Sequence, residues 1–249
     1  MDYIASRRYS LDIGAQIAHG SLRYYVMGER GRMNEEATPD DLRQMSQLVT
    51  EAVQAGALGF STSRTIGHRA LDGSPVPGTF APDQELSAIA DAMARAGRGV
   101  FEMIPAGTVG KLERLGGERT TPEAEVKLMA DFSRQSGRKV TFTLVQSPDY
   151  APDTWERLLE MVVTANQTGA QLYPQVSSRP IGLASGLSGY HAFQRRPTYM
   201  KLAHLPLAER AREMAKPEIK AAIMSETDVL VDQPGSMANM YQLFQTAAM

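Results

Sequence analysis

The sequence predicts an α/β protein in which parallel strands alternate with helices. Four times a helix-like run ends in a small residue plus glycine, and a short apolar run follows, at Ala55-Gly56, Ala96-Gly97, Ser136-Gly137 and Thr168-Gly169. Glycine just past a helix end adopts the left-handed conformation that stops the helix without a Cβ clash. The apolar runs recur about every 30 to 40 residues, the length of one strand and one crossover helix. Parallel strands with helical crossovers are therefore expected.

The first predicted elements are a short helical segment over Asp2–Tyr9 and a strand over Leu11–Ala18, which ends at His19. This strand alternates and then becomes apolar, which is typical of a strand that enters a buried sheet. A short helix is predicted over Ser21–Met27.

Proline marks the start of two longer helices. The sequence TPDD begins at Thr38, which can cap a helix whose first residue is Pro39 and whose acidic residues favour the positive end of the dipole. This helix is expected to end near Ala55. The same signal recurs as TPE at Thr121.

The remaining elements follow the same repeat. Further helices are predicted over Pro82–Ala96, Thr121–Ser136, Asp153–Thr168 and, with a stop or kink at Pro217, Pro197–Ser225. The predicted strands are Leu11–Ala18, Ala57–Ser61, Gly99–Ile104, Val140–Val145 and Gln171–Val176. A closed (β/α) barrel has eight strands. Five strands therefore form an open sheet, or the chain is part of a larger protein.

Composition excludes several classes of protein. With 249 residues, a net charge of −2 and 43% hydrophobic residues, the chain can bury a core but offers no basic field for nucleic acid. There are no cysteines, so disulfides and thiolate metal sites are excluded. No apolar stretch approaches the ~18 residues of a membrane span, and the start MDYIASRRYS lacks the apolar core of a signal peptide. We predict a cytoplasmic protein that binds neither nucleic acid nor membrane.

Polar residues at the carboxyl ends of the predicted strands are the candidate functional residues, because reactive groups collect there in parallel folds. They are His19, Ser61, Thr62, Ser63, Arg64, His68, Glu102, Gln146, Gln175 and Arg179. Any parallel strand also becomes polar where it ends, so position alone does not separate functional from structural residues.

Glu102 is the sharpest of these candidates. It lies within the apolar run VFEMI, where a carboxylate is a base, a metal ligand or an ion-paired residue near Arg64 or Arg179. His68 with Arg64 and Arg69 could form an anion pocket for a substrate carboxylate, although loop arginines are also often simply solvated. His19 is predicted to be structural, bonded to the next loop, because one histidine alone forms neither a triad nor a metal site.

Four longer stretches carry a resemblance to a known family. They are AQIAHGSLRYYVMGERG, EAVQAGALGFSTSRTIGHRALDGSPVPGTFAPDQEL, PQVSSRPIGLASGL and KLAHLPLAERAREM. Together they resemble the N-acyl-D-amino-acid deacylase (D-aminoacylase-like) branch of the amidohydrolase superfamily, from about Ser6 to Phe244. The resemblance implies a metal-dependent (β/α) barrel enzyme that hydrolyses an amide bond, usually releasing an N-acyl group from an amino acid. In such enzymes a zinc-bound water attacks the carbonyl and a carboxylate serves as base.

The sequence also departs from this family. The family's H-x-H pair, its second-strand ligand and its late catalytic Asp have no counterpart here, and VFEMIP and VTFTLVQ lack the metal-binding histidines of that branch. Glu102 and Gln146 are the nearest polar groups. The resemblance therefore implies an incomplete TIM-like (β/α) barrel of about five strands. It is a single partial domain, with β/α repeats over residues 1–176 and a loop and helical tail over residues 177–249. Zinc or another divalent metal is expected in the full-length family, with ligands that are not present in this chain.

Two functions stay open. In the first, the chain is the central segment of an amidohydrolase acting on non-peptide C–N bonds, and its partner is a small N-acyl amino acid or a related amide. Glu102 is then catalytic, and the predicted substrate-binding residues are Ser61, Ser63, Arg64, His68, Gln146, Gln175 and Arg179. In the second, the chain is a catalytically inactive α/β remnant that binds a small acid or a partner protein. An oligomer stays open in both, and the segment alone is expected to be inactive.

Overall fold

A parallel five-stranded sheet organises the protein. The computed structural model describes residues 2–70, 74–112, 117–147, 149–179, 186–188, 191, 193–227 and 229. Within them the strands are β1 (Ile17–Ala18), β2 (Gly59–Ser63), β3 (Val100–Ile104), β4 (Lys139–Thr143) and β5 (Leu172–Gln175). They form one sheet in the order β1-β2-β3-β4-β5, and every neighbouring pair is parallel. The predicted β/α architecture is confirmed.

The described residues form helices before, between and after the strands. The helices are α1 (Asp2–Ala5), α2 (His19–Met27), α3 (Glu29–Arg32), α4 (Pro39–Gln54), α5 (Asp83–Ala96), α6 (Pro122–Ser136), α7 (Thr154–Gln167), α8 (Pro197–Leu202), α9 (Leu207–Met214) and α10 (Pro217–Ser225). Of these, α2 to α7 lie in the connections between successive strands. Helices α4 to α7 pack side by side in chain order. Consecutive parallel strands with consecutive crossover helices give the arrangement of a partial barrel.

The predicted helix signals lie at the ends of these helices. The Thr38 hydroxyl accepts a hydrogen bond from the backbone N–H of Asp41, whose carboxylate accepts from the backbone N–H of Thr38, so α4 begins with a capping box. Thr121 caps α6 in a similar way. Gly97 and Gly137 follow α5 and α6 with φ of 73° and 64°, the left-handed conformation expected there.

The two faces of the sheet have different chemistry. On one face Phe60, Phe101 and Phe142 are buried with the apolar residues of the helices in a single core cluster. The rings of Phe60 and Phe101 lie 5.3 Å apart, and Phe132 of α6 continues the contact at 5.5 Å from Phe101. The alternate residues, which we call the open face, are half-buried or exposed: Ser61, Ser63, Glu102, Ile104, Thr141, Thr143, Tyr173 and Gln175.

Strand β1 is much shorter than predicted. We expected Leu11–Ala18, but only Ile17 and Ala18 pair with β2. Leu11 is 79% exposed and Ile13 is 48% exposed, so these apolar side chains have no packed layer to enter. An alternating apolar pattern predicts a strand only where a neighbour is present to bury it, and that neighbour is not encoded locally.

The helical tail is more divided than predicted. We expected one helix over Pro197–Ser225 with an interruption at Pro217, but the structure has three helices, with a second break at Pro206. Proline has no N–H to donate and clashes with the preceding turn, so each of these prolines stands where a new helix starts. Parts of the predicted loop over Ser177–Pro197 and the last turns lie outside the described residues.

Two further sequence predictions concern the chain as a whole. The arrangement of a single domain into β/α repeats up to residue 176 and a loop and helical tail after it stays a prediction. Across the described ranges, none of the helices combines the length and the apolar composition that crossing a membrane requires.

Candidate functional site

The strand register brings four of the predicted site residues onto the open face. Ser61 of β2 pairs with Glu102 of β3, and Glu102 pairs in turn with Thr141 of β4. Paired residues of adjacent parallel strands lie about 4.8 Å apart on the same face. Ser63 lies two residues beyond Ser61, and Gln175 of β5 is paired beside β4 at the same end of the sheet. Strands β2 to β4 therefore carry a polar row formed by Ser61, Glu102 and Thr141, and in the next row Ser63 pairs with the apolar Ile104.

Hydrogen bonds order part of this row. Gln175 donates from Nε2 to Oγ1 of Thr141 at 3.0 Å, and the Thr141 hydroxyl lies 3.1 Å from the carbonyl of Tyr173, to which it donates. Glu102 is half-buried, and its carboxylate has no hydrogen bond or ion pair with another described residue. Within the described part of the chain, the strand neighbours of Glu102 on this face are thus the hydroxyl-bearing Ser61 and Thr141.

Ser63 and His68 form a close pair at the end of β2. The distance between Ser63 Oγ and His68 Nδ1 is 2.8 Å. The chain turns back after the strand, and the backbone N–H of His68 donates to the carbonyl of Thr65 at 3.3 Å. His68 is exposed, so the imidazole lies at the surface above the strand end.

Arg64, directly after β2, forms its contacts on the helix side of the sheet. Its Nε lies 3.1 Å and 3.0 Å from the two carboxylate oxygens of Glu125, and its Nη1 donates to the carbonyl of Ala81 at 3.0 Å. The Arg64 side chain is 12% exposed and Glu125 is 1% exposed. Burial raises the pKa of Glu125, although Arg64 and the backbone N–H of Ala106 act against the rise. Binding a substrate carboxylate would require Arg64 to exchange these contacts, and it does not form the ion pair with Glu102 that we considered.

A second acidic residue holds the loop after β2. Glu118 accepts from the Thr65 hydroxyl at 2.7 Å and from the backbone N–H of Ile66 at 3.4 Å. Burial raises the pKa of Glu118, and these hydrogen bonds counteract part of that rise. Sequence reasoning missed both Glu118 and Glu125. The available signal was Glu125 on the apolar stripe of α6, beside Val126.

His19 belongs to a buried network behind the sheet. Its Nδ1 lies 2.8 Å from Oγ1 of Thr62, and its Nε2 lies 2.6 Å from Oε1 of Glu85, which also accepts from Nη1 of Arg23 at 2.5 Å. Burial lowers the pKa of His19, and the Glu85 carboxylate opposes this. Burial would raise the pKa of Glu85, but hydrogen bonds from His19 and Arg23 lower it overall. The structural role of His19 stays a prediction, and its hydrogen bonds join strand β2 and helix α5, whereas we expected a bond to the next loop.

Gln146 and Arg179 lie beyond the strand ends. Gln146 is exposed after β4 and lines a cavity of ≈ 30 Å³ together with Tyr150 and Trp155. Ligand pockets have volumes of about 300–1,000 Å³, so this cavity is too small for an amino acid. Arg179 is exposed after β5. Among the residues that the structure describes, no hydrogen bond joins either side chain to Glu102.

The donors of the open face do not fit a catalytic metal centre. Catalytic zinc takes three protein ligands chosen from histidine, carboxylate and thiolate. The described part of the chain contains no group of three His, Asp or Glu side chains that could hold a metal ion. Glu102 is accompanied by hydroxyls and an amide, and Nδ1 of His68 is already bonded to Ser63.

Comparison with known proteins gives a likeness in fold. No protein-family model matches the sequence, and no curated protein matches it. The structure is similar to the N-acyl-D-glutamate deacylase of Bordetella bronchiseptica, complexed with zinc and a phosphonate inhibitor that mimics the tetrahedral intermediate. The TM-score is 0.52 at 19% identity, over 70% of this chain and 32% of that chain. Two D-aminoacylase structures, one concerned with a binuclear metal centre and one described as defining a subset of amidohydrolases, give TM-scores of 0.44 and 0.43. Their identities are 19% and 18%, over 63% of this chain and 28% of theirs.

The likeness to the deacylase structure confirms the predicted resemblance at the level of the fold. The chain has the partial (β/α)-barrel arrangement of a deacylase structure, and it spans about a third of that structure's length.

Proposed function

We propose that this chain is the central part of a (β/α)-barrel hydrolase that cleaves the amide bond of an N-acyl amino acid. The observation that supports this most directly is the open face. Parallel sheets are almost always covered on both faces and are apolar on both. Here the face opposite the helical core carries Ser61, Ser63, Glu102 and Gln175 toward the carboxyl ends of the strands, where parallel folds bind and convert their substrates.

Further β/α units would cover this face and leave its polar end as the floor of a substrate site. The deacylase with a similar fold extends well beyond the part that this chain matches, which is 32% of its length. The 19% identity supports the fold and not the substrate, so the N-acyl amino acid is part of our proposal.

Glu102 is the proposed proton-transfer residue. It is the carboxylate of the polar row, it is flanked by Ser61 and Thr141, and its oxygens are available to accept a proton. A positioned carboxylate can take a proton from the attacking water and deliver it to the leaving amine nitrogen, which contributes about 10²- to 10⁴-fold in rate.

The other open-face residues are proposed to bind the substrate. Ser61, Ser63 and Gln175 offer hydroxyl and amide groups to the acyl and amide oxygens. His68, Gln146 and Arg179 stand beyond the strand ends, where the exposed Arg179 is the proposed partner of the substrate carboxylate. Arg64, bound to Glu125, is proposed to fix the turn after β2. Because the donors that the structure describes do not fit a metal site, we assign them substrate binding and proton transfer alone.

The test compares this chain with a longer protein that includes the sequence encoded on both sides of it. We expect the longer protein to hydrolyse an N-acetyl-D-amino acid and to lose that activity with a chelator, whereas the 249-residue chain should not hydrolyse this amide. In the longer protein, Glu102→Gln should lower kcat about 100-fold or more. The exposed Glu156→Gln on α7 is the matched control and should leave kcat unchanged.

Two outcomes would contradict the proposal. Full activity in Glu102→Gln would remove the carboxylate from the reaction. Binding of an N-acyl amino acid without any turnover in the longer protein would favour a catalytically inactive binding protein.

A further inference from the structure

The Ser63 and His68 pair has the geometry of a nucleophile and its base. Ser63 is the last residue of β2, and it faces the open side because Thr62 before it faces His19 on the helix side. Its Oγ lies 2.8 Å from His68 Nδ1. This distance is within the range of about 2.6–3.2 Å at which a histidine activates a hydroxyl nucleophile.

Buried contacts hold the turn that creates the pair. Glu118 accepts hydrogen bonds from Thr65 and Ile66, and the backbone N–H of His68 donates to the carbonyl of Thr65. Arg64, next to Ser63 in the chain, is fixed on its other side by Glu125. The imidazole is thus held beside the hydroxyl by the backbone of a clamped turn, which is the preorganisation that a catalytic pair requires.

The histidine is in the state that a base needs. Although His68 is solvent-exposed, neighbouring residues partly desolvate its imidazole and lower its pKa, which favours the neutral ring. In the tautomer with the proton on Nε2, the Nδ1 atom accepts the hydrogen bond from Ser63 Oγ.

We infer that Ser63 and His68 form a nucleophile–base pair that transfers acyl groups from small activated esters to water. This activity does not rest on the proposed amide hydrolysis and uses only residues within this chain. Because Glu102 is on the adjacent strand of the same face, neutral acyl groups are favoured over acidic ones.

The reaction has two balanced halves. Ser63 Oγ attacks the ester carbonyl carbon while its proton passes to His68 Nδ1, and the bond to the alcohol oxygen then breaks as that oxygen takes the proton. Water next attacks the acyl-serine ester and gives a proton to His68. The bond to Ser63 Oγ breaks, the proton returns to Oγ, and the carboxylic acid leaves.

The first experiment uses the 249-residue chain and p-nitrophenyl acetate. We expect release of p-nitrophenolate and an acetyl group that peptide mass mapping places on Ser63. Ser63→Ala and His68→Ala should each lower the rate above background about 100-fold, and the double variant should be no slower than either, because the two residues act as a unit. The exposed Ser225→Ala and His204→Ala are the matched controls and should react as the unchanged chain does.

The second experiment stays informative if the alanine variants fold poorly. The chain has no cysteine, so Ser63→Cys introduces a single thiol. Beside His68 this thiol should have a lowered pKa and react with iodoacetamide at pH 7 about ten times faster than the thiol of Ser225→Cys. Adding His68→Ala should remove the difference. Equal reactivity of the two thiols, or an acetyl group located on another residue, would overturn the inference.

Discussion

Replacing Glu85 by glutamine should destabilise the protein strongly. Glu85 is 0% exposed and accepts from His19 Nε2 at 2.6 Å and from Arg23 Nη1 at 2.5 Å, while Arg23 is itself 1% exposed. Glutamine has nearly the same shape as glutamate but no charge. Glu85→Gln therefore leaves the Arg23 guanidinium buried without a counter-ion.

The size of this effect follows from the burial of both partners. Removing one member of a buried ion pair costs about 3–5 kcal/mol, because the remaining charge is uncompensated. For urea unfolding with a slope of about 1–3 kcal/mol per molar, the midpoint should fall by about 1 M or more. Circular dichroism at increasing urea concentration measures this shift. The exposed Glu156→Gln on α7 is the matched control and should change the free energy of unfolding by less than about 0.5 kcal/mol.

A second variant tests the reason for the loss. If the uncompensated charge of Arg23 is responsible, adding Arg23→Met to Glu85→Gln should recover part of the lost stability, because no buried charge then remains. A double variant less stable than Glu85→Gln alone would refute this reasoning, as would a midpoint for Glu85→Gln equal to that of the control.

Three further predictions concern the loops and a helix cap. Because burial raises the pKa of Glu118, the folded protein binds this proton more tightly than the unfolded chain. The contribution of Glu118 to the free energy of unfolding should therefore rise as pH falls from 7 toward 4.5, so Glu118→Gln should lose more stability relative to the unchanged protein at pH 4.5 than at pH 7 in urea titrations. Gly78→Ala would place a Cβ 2.6 Å from His19 Nδ1 at a φ of 96°, whereas Gly97→Ala at φ 73° meets no atom within 4 Å. Both variants should lose about 1 kcal/mol of stability to backbone strain. Gly78→Ala should melt at a lower temperature than Gly97→Ala because its Cβ also clashes with His19, so equal melting temperatures of the two variants would exclude that clash. Thr38→Ala should lose about 1 kcal/mol with the helix cap, and no change in the urea midpoint would contradict a role of the capping box.

The repeat of strands and helices could be predicted because its signals are local. Gly97 and Gly137 end their helices through their own left-handed backbone conformation. The TPDD and TPE sequences start helices through contacts within four residues. The first strand was predicted too long for the opposite reason. Whether Leu11 and Ile13 are buried depends on a neighbouring layer and not on their own alternation.

The candidate site could be predicted only in part. The strand-end rule found Ser61, Glu102 and Gln175, because the register of parallel strands follows from the repeat itself. The rule could not find the partner of Arg64, because Glu125 lies 61 positions away in sequence and meets it only after the helices pack. A contact between residues that are distant in sequence, such as Arg64 and Glu125, cannot be predicted from the residues next to either of them.

The two acidic clamps also have an evolutionary consequence. Glu118 lies in the connection after β3, and Glu125 lies in the helix α6 that follows this connection. Both accept hydrogen bonds from the connection after β2, where the donors are Arg64, Thr65 and Ile66. An insertion or deletion in one connection must therefore be matched by change in the other. In relatives of this protein, residues 64–81 and 105–121 should vary as one unit, and transplanting the first segment into another barrel without the second should give a misplaced turn.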